Sequence, residues 1–198
     1  VVDYVLSVLA ALTPIDRRHW RECSVGVIGC GIIGSALVQR LLRLGMTVKI
    51  HDPLLPASHP LSAHFASLEE VLQQQVITLH VPLTRDGPHP TRHMLSKTRL
   101  ELIPPDSLLI NAARGAAINN QALLDWLQQR PAQRVVLDTW ENEPVIALEL
   151  RRRVTLGTPH IAGYSAEGKL NGTRMILEQF CRHFGLDTGP TSDSKVGG

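Results

Sequence analysis

The 198-residue sequence predicts an α/β fold in which helices cover both faces of a doubly wound parallel sheet. Two observations support this prediction. Short apolar segments rich in β-branched residues alternate along the chain with segments of helical periodicity. The first apolar segment, SVGVIG, ends in glycine and is typical of a buried parallel strand. The predicted strands are residues 24–29, 46–51, 76–81, 107–111, 134–138 and 154–156.

The helices are predicted from apolar spacing together with their start and stop signals. Gly45 ends the helix after the first strand, and Pro131 follows the end of a later one. Ser67 and Glu70 form a capping box that opens another helix. We interpret the basic run 151–153 as a helix C-terminus. The predicted helices are residues 1–12, 32–44, 67–74, 119–129 and 166–184.

The composition fits a globular chain and argues against several function classes. Hydrophobic residues make up 43% and charged residues 19%, which is enough apolar material for a core. The formal net charge of +2 gives no basic surface for nucleic acid or an acidic membrane. The apolar segment 1–12 is too short to cross a bilayer. Cys23, Cys30 and Cys181 lack the spacing of a disulfide framework or a zinc site, so we expect no metal and a cytoplasmic location.

The turn after the first strand carries a dinucleotide-binding pattern, G-C-G-I-I-G. Gly29 permits a tight turn, Gly31 lets the backbone approach a pyrophosphate, and Gly34 lets the helix pack close to the strand. Asp52 ends the second strand, near the spacing expected of the acid that binds the ribose. Its carboxylate would repel a 2′-phosphate, and no basic residue directly follows it. We therefore expect NAD, rather than NADP, in a Rossmann-type domain.

Three polar residues follow the late strands, where open α/β sheets bind their ligands. Arg114, Glu143 and His160 are the residue types that oxidation of a hydroxy acid needs. A guanidinium binds a carboxylate, an imidazole takes the hydroxyl proton, and a carboxylate beside the imidazole orients it and raises its pKa. Simpler interpretations are a loop arginine, a surface acid and an ordinary histidine. His80 is expected to line the cofactor cleft, and the remaining histidines to be surface or packing residues.

These motifs together resemble the D-isomer-specific 2-hydroxyacid dehydrogenase family. The resemblance covers nearly the whole chain, in the segments 29–34 with Asp52, 80–84, 110–115, 137–144 and 158–163. It implies an NAD-dependent oxidoreductase acting on the CH–OH group of a 2-hydroxy acid, with Arg114, Glu143 and His160 catalytic. The implied cofactor contacts are Gly29, Gly31, Ile32, Ile33, Gly34, Asp52, Val81, Ala112, Ala113, Arg114, Asp138 and Gly163.

Two segments, TRDGP at 84–88 and GYSAEGK at 163–169, resemble one branch of this family. That branch oxidises 4-phospho-D-erythronate to 2-oxo-3-hydroxy-4-phosphobutanoate in pyridoxal phosphate biosynthesis. The resemblance therefore implies a small phosphorylated hydroxy acid as substrate, bound by Arg114 and Tyr164. Three alternatives stay open: a general dehydrogenase of glycerate, phosphoglycerate or lactate, a non-catalytic NAD-sensing protein, and a non-functional remnant.

The domain organisation is expected to be one Rossmann domain over residues 1–185 and a disordered tail over residues 186–198. The sequence begins with Val inside an apolar periodic segment, and the substrate lobe and dimerisation domain of the resembled family have no counterpart. We therefore expect a piece of a longer, homodimeric enzyme. The flanking helices 1–12 and 166–184 would pack on the missing substrate domain, and the piece alone would be poorly active.

Overall fold

The computed structural model describes residues 1–12 and 22–187. They divide into two compact units, one that ends at Ala162 and one that begins at Gly163. The predicted disordered tail lies outside the described residues from 188 onward, and so does His19. None of the helices in the described ranges is long and apolar enough to cross a membrane.

The first unit is built on a parallel sheet that has six strands in the described part of the chain. The strand order is β2-β1-β3-β4-β5-β6, and the chain reverses its winding direction between β1 and β3. Ligands of such sheets bind outside the carboxyl ends of the strands at this switch point. The strands are β1 (Ser24–Ile28), β2 (Thr47–His51), β3 (Val76–Leu79), β4 (Leu108–Asn111), β5 (Arg134–Leu137) and β6 (Leu156–Gly157).

Helices cover both faces of this sheet, as the sequence predicts. Helices α1 and α2 pack on one face, and helices α3 to α6 pack on the other. Strand side chains alternate between the two cores, so Val27 faces α1 and α2 while Ile28 faces the opposite group. The helices are α1 (Val2–Leu12), α2 (Ile32–Arg43), α3 (Leu68–Leu72), α4 (Lys97–Leu100), α5 (Asn120–Gln129), α6 (Leu148–Arg153) and α7 (Ala166–Phe184).

The first flanking helix, α1, packs within this unit. Val5 is fully buried and Leu9 is 1% exposed, both in the core that α1 shares with α2. The Arg134 guanidinium of β5 also donates to the carbonyl of Leu12 at 2.8 Å, which satisfies a carbonyl at the helix end. These contacts anchor α1 to the sheet.

Local signals place most element ends correctly. Ser67 and Glu70 form the predicted capping box at the start of α3, and Gly45 has the left-handed backbone expected after α2. The prediction of the sixth strand at residues 154–156 is wrong for residues 154 and 155, which lie outside the strand. Val154 instead caps α6 through a hydrogen bond to Leu150, so the strand begins at Leu156. The short helix α4 was not predicted.

The second unit contains α7. Ser165 caps this helix by accepting from the amide of Gly168 at 3.0 Å, and Gly185 ends it in the left-handed conformation. Apolar side chains along α7, including Ile176 and Phe184, are exposed. Packing of the flanking helices on a further domain stays a prediction.

Candidate active site

The glycine loop between β1 and α2 is shaped partly by packing and partly by open space. A Cβ atom on Gly29 would lie 2.7 Å from the carbonyl oxygen of His80, and one on Gly34 would collide with the carbonyl oxygen of Gly29. Gly29 also has a φ of +90°, which favours glycine. By contrast, a Cβ on Gly31 would meet no protein atom within 4 Å. Contacts within the protein therefore require Gly29 and Gly34, whereas Gly31 fits a backbone that a ligand approaches closely.

Asp52 lies one residue after β2 and is tied to this loop. Its Oδ2 atom accepts a hydrogen bond from the amide of Cys30 at 2.8 Å, and its Oδ1 atom accepts one from the amide of Leu54 at 3.2 Å. An ionised carboxylate has about four acceptor sites, so capacity remains for a ribose diol. Asp52 thus lies beside the glycine loop, and its contact with the ribose stays a prediction.

A cavity of about 460 Å³ opens at the switch point between β1 and β3. The glycine loop and Asp52 form one side, and residues 80–82 after β3 form another. A third side is the loop of residues 84–91, which Thr84 and Thr91 close through reciprocal amide-to-hydroxyl hydrogen bonds of 2.8 and 3.1 Å. Its lining is mainly apolar, with a few polar groups, which suits the adenosine part of a dinucleotide.

His80 lines this cavity, as the sequence predicts. Its Nε2 atom lies 3.0 Å from the hydroxyl of Thr78, and its Nδ1 atom is buried without a hydrogen-bond partner in the described part of the chain. Burial lowers the pKa of His80 to about 4. His80 is therefore a neutral wall of the cavity at pH 7.

His160 and Glu143 meet directly at the carboxyl end of the sheet. The Nδ1 atom of His160 donates to Oε2 of Glu143 at 2.8 Å, and Oε1 of Glu143 accepts from the amide of Trp140. Both side chains are partly exposed to solvent. A carboxylate that holds Nδ1–H fixes the imidazole tautomer and leaves Nε2 as the proton acceptor. The sequence-based pairing of these two residues is confirmed by this contact.

Arg114 follows β4 and is exposed. One of its terminal nitrogens, Nη1, donates to the carbonyl of Ala113 at 2.7 Å, which matches part of the simpler loop interpretation. Within the described residues, Nε and Nη2 make no hydrogen bond and remain available to an anion. Gly115 packs so closely on Trp140 that a Cβ there would collide with its backbone, so the loops of Arg114 and Glu143 lie against each other.

Asp138, at the end of β5, has a visible role that the sequence did not indicate. It is fully buried, and its carboxylate accepts from the hydroxyl of Thr158 and from the amides of Ile161 and Ala162. These bonds hold the segment on which His160 lies. Its implied contact with the cofactor stays a prediction.

The other predicted cofactor and substrate residues occupy different surroundings. Ala112 and Ala113 are buried at the end of β4, and Ile32 in the first turn of α2 is 85% exposed, with Ile33 less so. Gly163 and Tyr164 belong to the second unit, where the ring of Tyr164 stacks on the ammonium group of Lys169 at 3.6 Å. Their roles stay predictions.

A second histidine–carboxylate pair was missed. Nε2 of His93 donates to Oε1 of Glu141 at 2.6 Å, and Oε2 of Glu141 accepts from the amide of Asn120. Burial would raise the pKa of Glu141, but these hydrogen bonds outweigh it and lower the pKa. The pair connects the loop before α4 with the loops of Arg114 and Glu143. No group of three or more His, Cys, Asp or Glu side chains in the described ranges is arranged to hold a metal ion.

The comparison with known protein families decides the assignment. Residues 13–162 match the model of the D-isomer specific 2-hydroxyacid dehydrogenase, NAD binding domain. The chain belongs to this family. The sequence-based recognition of the family, the Rossmann-type fold and NAD as its cofactor are confirmed.

Several 2-hydroxyacid dehydrogenases are similar over most of this chain. The erythronate-4-phosphate dehydrogenase of Cellvibrio japonicus is 46% identical over 186 residues, which are 94% of this chain and 48% of that protein. Its counterpart in Marinobacter nauticus is 47% identical over 190 residues, 94% of this chain and 49% of that protein. The crystal structure of D-lactate dehydrogenase from Aquifex aeolicus, complexed with NAD and lactic acid, has a TM-score of 0.69 and 26% identity, covering 96% of this chain and 66% of that chain.

The chain therefore spans about half the length of the curated dehydrogenases that it matches. Residues 13–162, which match the family model, include the glycine loop, Asp52 and the pair of Glu143 and His160.

Proposed function

We propose that this chain binds NAD at the glycine loop and contributes Arg114, Glu143 and His160 to the oxidation of a 2-hydroxy acid. The observation that supports this most strongly is the 2.8 Å hydrogen bond between His160 and Glu143 at the carboxyl end of a Rossmann-type sheet. An acid–base histidine oriented by a carboxylate is the group that removes a hydroxyl proton. The chain's relatives are named as dehydrogenases.

NAD fits the residues that are present. The open space at Gly31 leaves room for the pyrophosphate at the start of α2, where free amide groups favour an anion. Asp52 has acceptor capacity for the ribose hydroxyls and would repel a 2′-phosphate. When bound, NAD supplies the acceptor for the hydride that leaves C2 of the substrate.

The chain's own residues then bind the substrate and move one proton. Arg114 pairs its free guanidinium donors with the substrate carboxylate. Nε2 of His160 takes the proton of the C2 hydroxyl, because Nδ1 already donates to Glu143. Glu143 stabilises the imidazolium that forms. The substrate loses one proton and one hydride, and a 2-oxo acid results.

The proposed substrate is 4-phospho-D-erythronate, and the product is 2-oxo-3-hydroxy-4-phosphobutanoate. The two relatives named as erythronate-4-phosphate dehydrogenases support this choice, since they match 94% of the chain. Tyr164 would contact the substrate. We place the reaction in pyridoxal phosphate biosynthesis, in a homodimeric cytoplasmic enzyme of which residues 1–185 are the NAD-binding domain.

A general 2-hydroxyacid dehydrogenase is the second candidate, because a D-lactate dehydrogenase shares the fold over 96% of the chain. A protein that only senses NAD is less well supported, since it would have no need of the pairing between His160 and Glu143.

A chimera tests the proposal. This chain would replace the matching 186 residues of the Cellvibrio japonicus relative, so that the rest of that enzyme is supplied. We expect NAD-dependent oxidation of 4-phospho-D-erythronate. His160→Ala should lower kcat by about 10²- to 10⁴-fold and leave NAD affinity unchanged. His183→Ala, in the last turn of α7, is the matched control and should retain turnover. Near-normal turnover in the His160→Ala chimera would exclude His160 as the base.

A further inference from the structure

A chain of hydroxyl groups connects α1 to the segment that carries His160. The hydroxyl of Tyr4 lies 2.7 Å from Oγ1 of Thr158, and this threonine donates to Oδ1 of Asp138 at 2.6 Å. Because the single hydroxyl proton of Thr158 goes to Asp138, Tyr4 is the donor in the first bond. Burial raises the pKa of Tyr4, more than the hydrogen bond with Thr158 lowers it, so the phenol stays protonated.

Asp138 receives this chain and organises the backbone around His160. Its Oδ1 atom also accepts from the amide of Ile161, and its Oδ2 atom accepts from the amide of Ala162, both at 2.8 Å. Its backbone carbonyl accepts from the amide of His160, again at 2.8 Å. One fully buried residue therefore holds three consecutive amides.

His160 needs this support because its own backbone is unfavourable. Its φ of +57° lies in the left-handed region, which costs free energy for a residue with a Cβ atom. The surrounding contacts must offset that cost. In this conformation the imidazole presents Nδ1 to Glu143 at 2.8 Å.

Thr158 is also fixed at its other polar atoms. Its amide donates to the carbonyl of Leu137, and its carbonyl accepts from the indole nitrogen of Trp140, both at 2.9 Å. The hydroxyl is thus presented to Asp138 from a rigid backbone. Loss of the hydroxyl alone removes one donor without releasing the residue.

We propose that Tyr4 and Thr158 are positioning residues for His160. They hold the carboxylate of Asp138 in place, and Asp138 holds residues 160–162 in the backbone conformation that aims the imidazole at Glu143. Neither residue touches the reacting atoms. This inference rests on the proposed function, in which His160 takes the substrate proton.

The test uses the 198-residue chain with ¹⁵N-labelled histidine and backbone amides. Thr158→Val removes the hydroxyl at nearly constant volume. We expect the ¹⁵N ring signal that reports the hydrogen-bonded Nδ1–H of His160 to weaken or average. We also expect hydrogen exchange of the Ile161 and Ala162 amides to accelerate about tenfold, as for the loss of a hydrogen bond to a charged group. Thr158→Ser restores the hydroxyl and should restore both readouts.

Ser107→Ala is the matched control. Ser107 is buried, and its hydroxyl donates to the carbonyl of Pro104. It lies at the amino end of β4, away from the candidate active site at the carboxyl end. Its loss should lower stability and leave the ring of His160 and the two amides as they are. A purely structural role of Thr158 predicts the same pattern for Thr158→Val as for this control.

Tyr4→Phe serves as a second variant if Thr158→Val does not fold. It leaves Val5 and Leu9 to anchor α1, and a several-fold acceleration of the same amides is expected. Unchanged ring signals and amide exchange in folded Thr158→Val or Tyr4→Phe would overturn the inference. A chimera inactive on every 2-hydroxy acid would instead refute the proposed function, and these spectra would still report the positioning.

Discussion

Replacing Gly31 by alanine should separate cofactor binding from folding. The added methyl group would meet no protein atom within 4 Å, and the backbone there, with φ −69° and ψ −158°, is extended and open to alanine. Alanine caps a helix less well than glycine, which lowers the free energy of unfolding by about 1 kcal/mol. It also lowers the entropy of the unfolded chain, which raises the free energy of unfolding by about 0.4–1 kcal/mol. The two effects oppose each other, so the free energy of unfolding should change by less than about 1 kcal/mol.

The same methyl group would occupy the space through which a pyrophosphate approaches the backbone. We expect the Kd for NAD to rise at least tenfold, which corresponds to about 1.4 kcal/mol. Titration calorimetry with NAD and urea unfolding of the 198-residue chain measure the two effects separately.

Gly34→Ala is the contrasting variant. Its Cβ would collide with the carbonyl oxygen of Gly29, so α2 must move away from β1. Forced overpacking of this kind costs about 1–3 kcal/mol, and here the loss should appear in urea unfolding. Two results would contradict these expectations: Gly31→Ala binds NAD as tightly as the unmodified chain, or it destabilises the fold more than Gly34→Ala does.

Two further predictions follow from charge. His80 has a pKa of about 4 in the folded state against a usual 6.5, so the folded state resists its protonation. The free energy of unfolding should therefore fall by roughly 3 kcal/mol as the pH falls from 6.5 to 4. His80→Gln should remove that part of the pH dependence, as measured by urea unfolding. An unchanged slope in His80→Gln would contradict this. Asp52→Ala should raise the Kd for NAD about tenfold and reduce the preference for NAD over NADP, since the carboxylate that repels the 2′-phosphate is gone. An unchanged ratio of the Kd values for NAD and NADP would show that Asp52 does not select the cofactor.

The parts of the fold that depend on residues close together in the chain could be predicted from the sequence. The capping box of Ser67 and Glu70 lies within one helical turn, and Gly45 ends α2 through its own backbone conformation. Asp52 could be placed beside the glycine loop because parallel strands bring their carboxyl ends to one edge of the sheet. The end of α6 depended on one hydrogen bond of Val154, which periodicity does not report.

The missed contacts of the site join residues that are far apart in the chain. Tyr4 and Thr158 are separated by 154 positions, and His93 and Glu141 by 48. Tyrosine in an apolar helix and threonine before a proline are ordinary in sequence. Their roles appear only when α1 packs on the sheet and brings the two hydroxyl groups together.

Under the proposed function, this chain carries the acid–base pair of a dehydrogenase for a phosphorylated four-carbon 2-hydroxy acid. It is tested by the kcat/KM of the chimera with NAD for four acids, measured through the absorbance of NADH. The four acids are 4-phospho-D-erythronate, D-lactate, D-glycerate and 3-phospho-D-glycerate. We expect the highest kcat/KM for 4-phospho-D-erythronate, and we expect this activity to be lost in His160→Ala. A higher value for any of the other three acids would contradict the proposed substrate, and absence of turnover with all four in a folded, NAD-binding chimera would contradict the catalytic role.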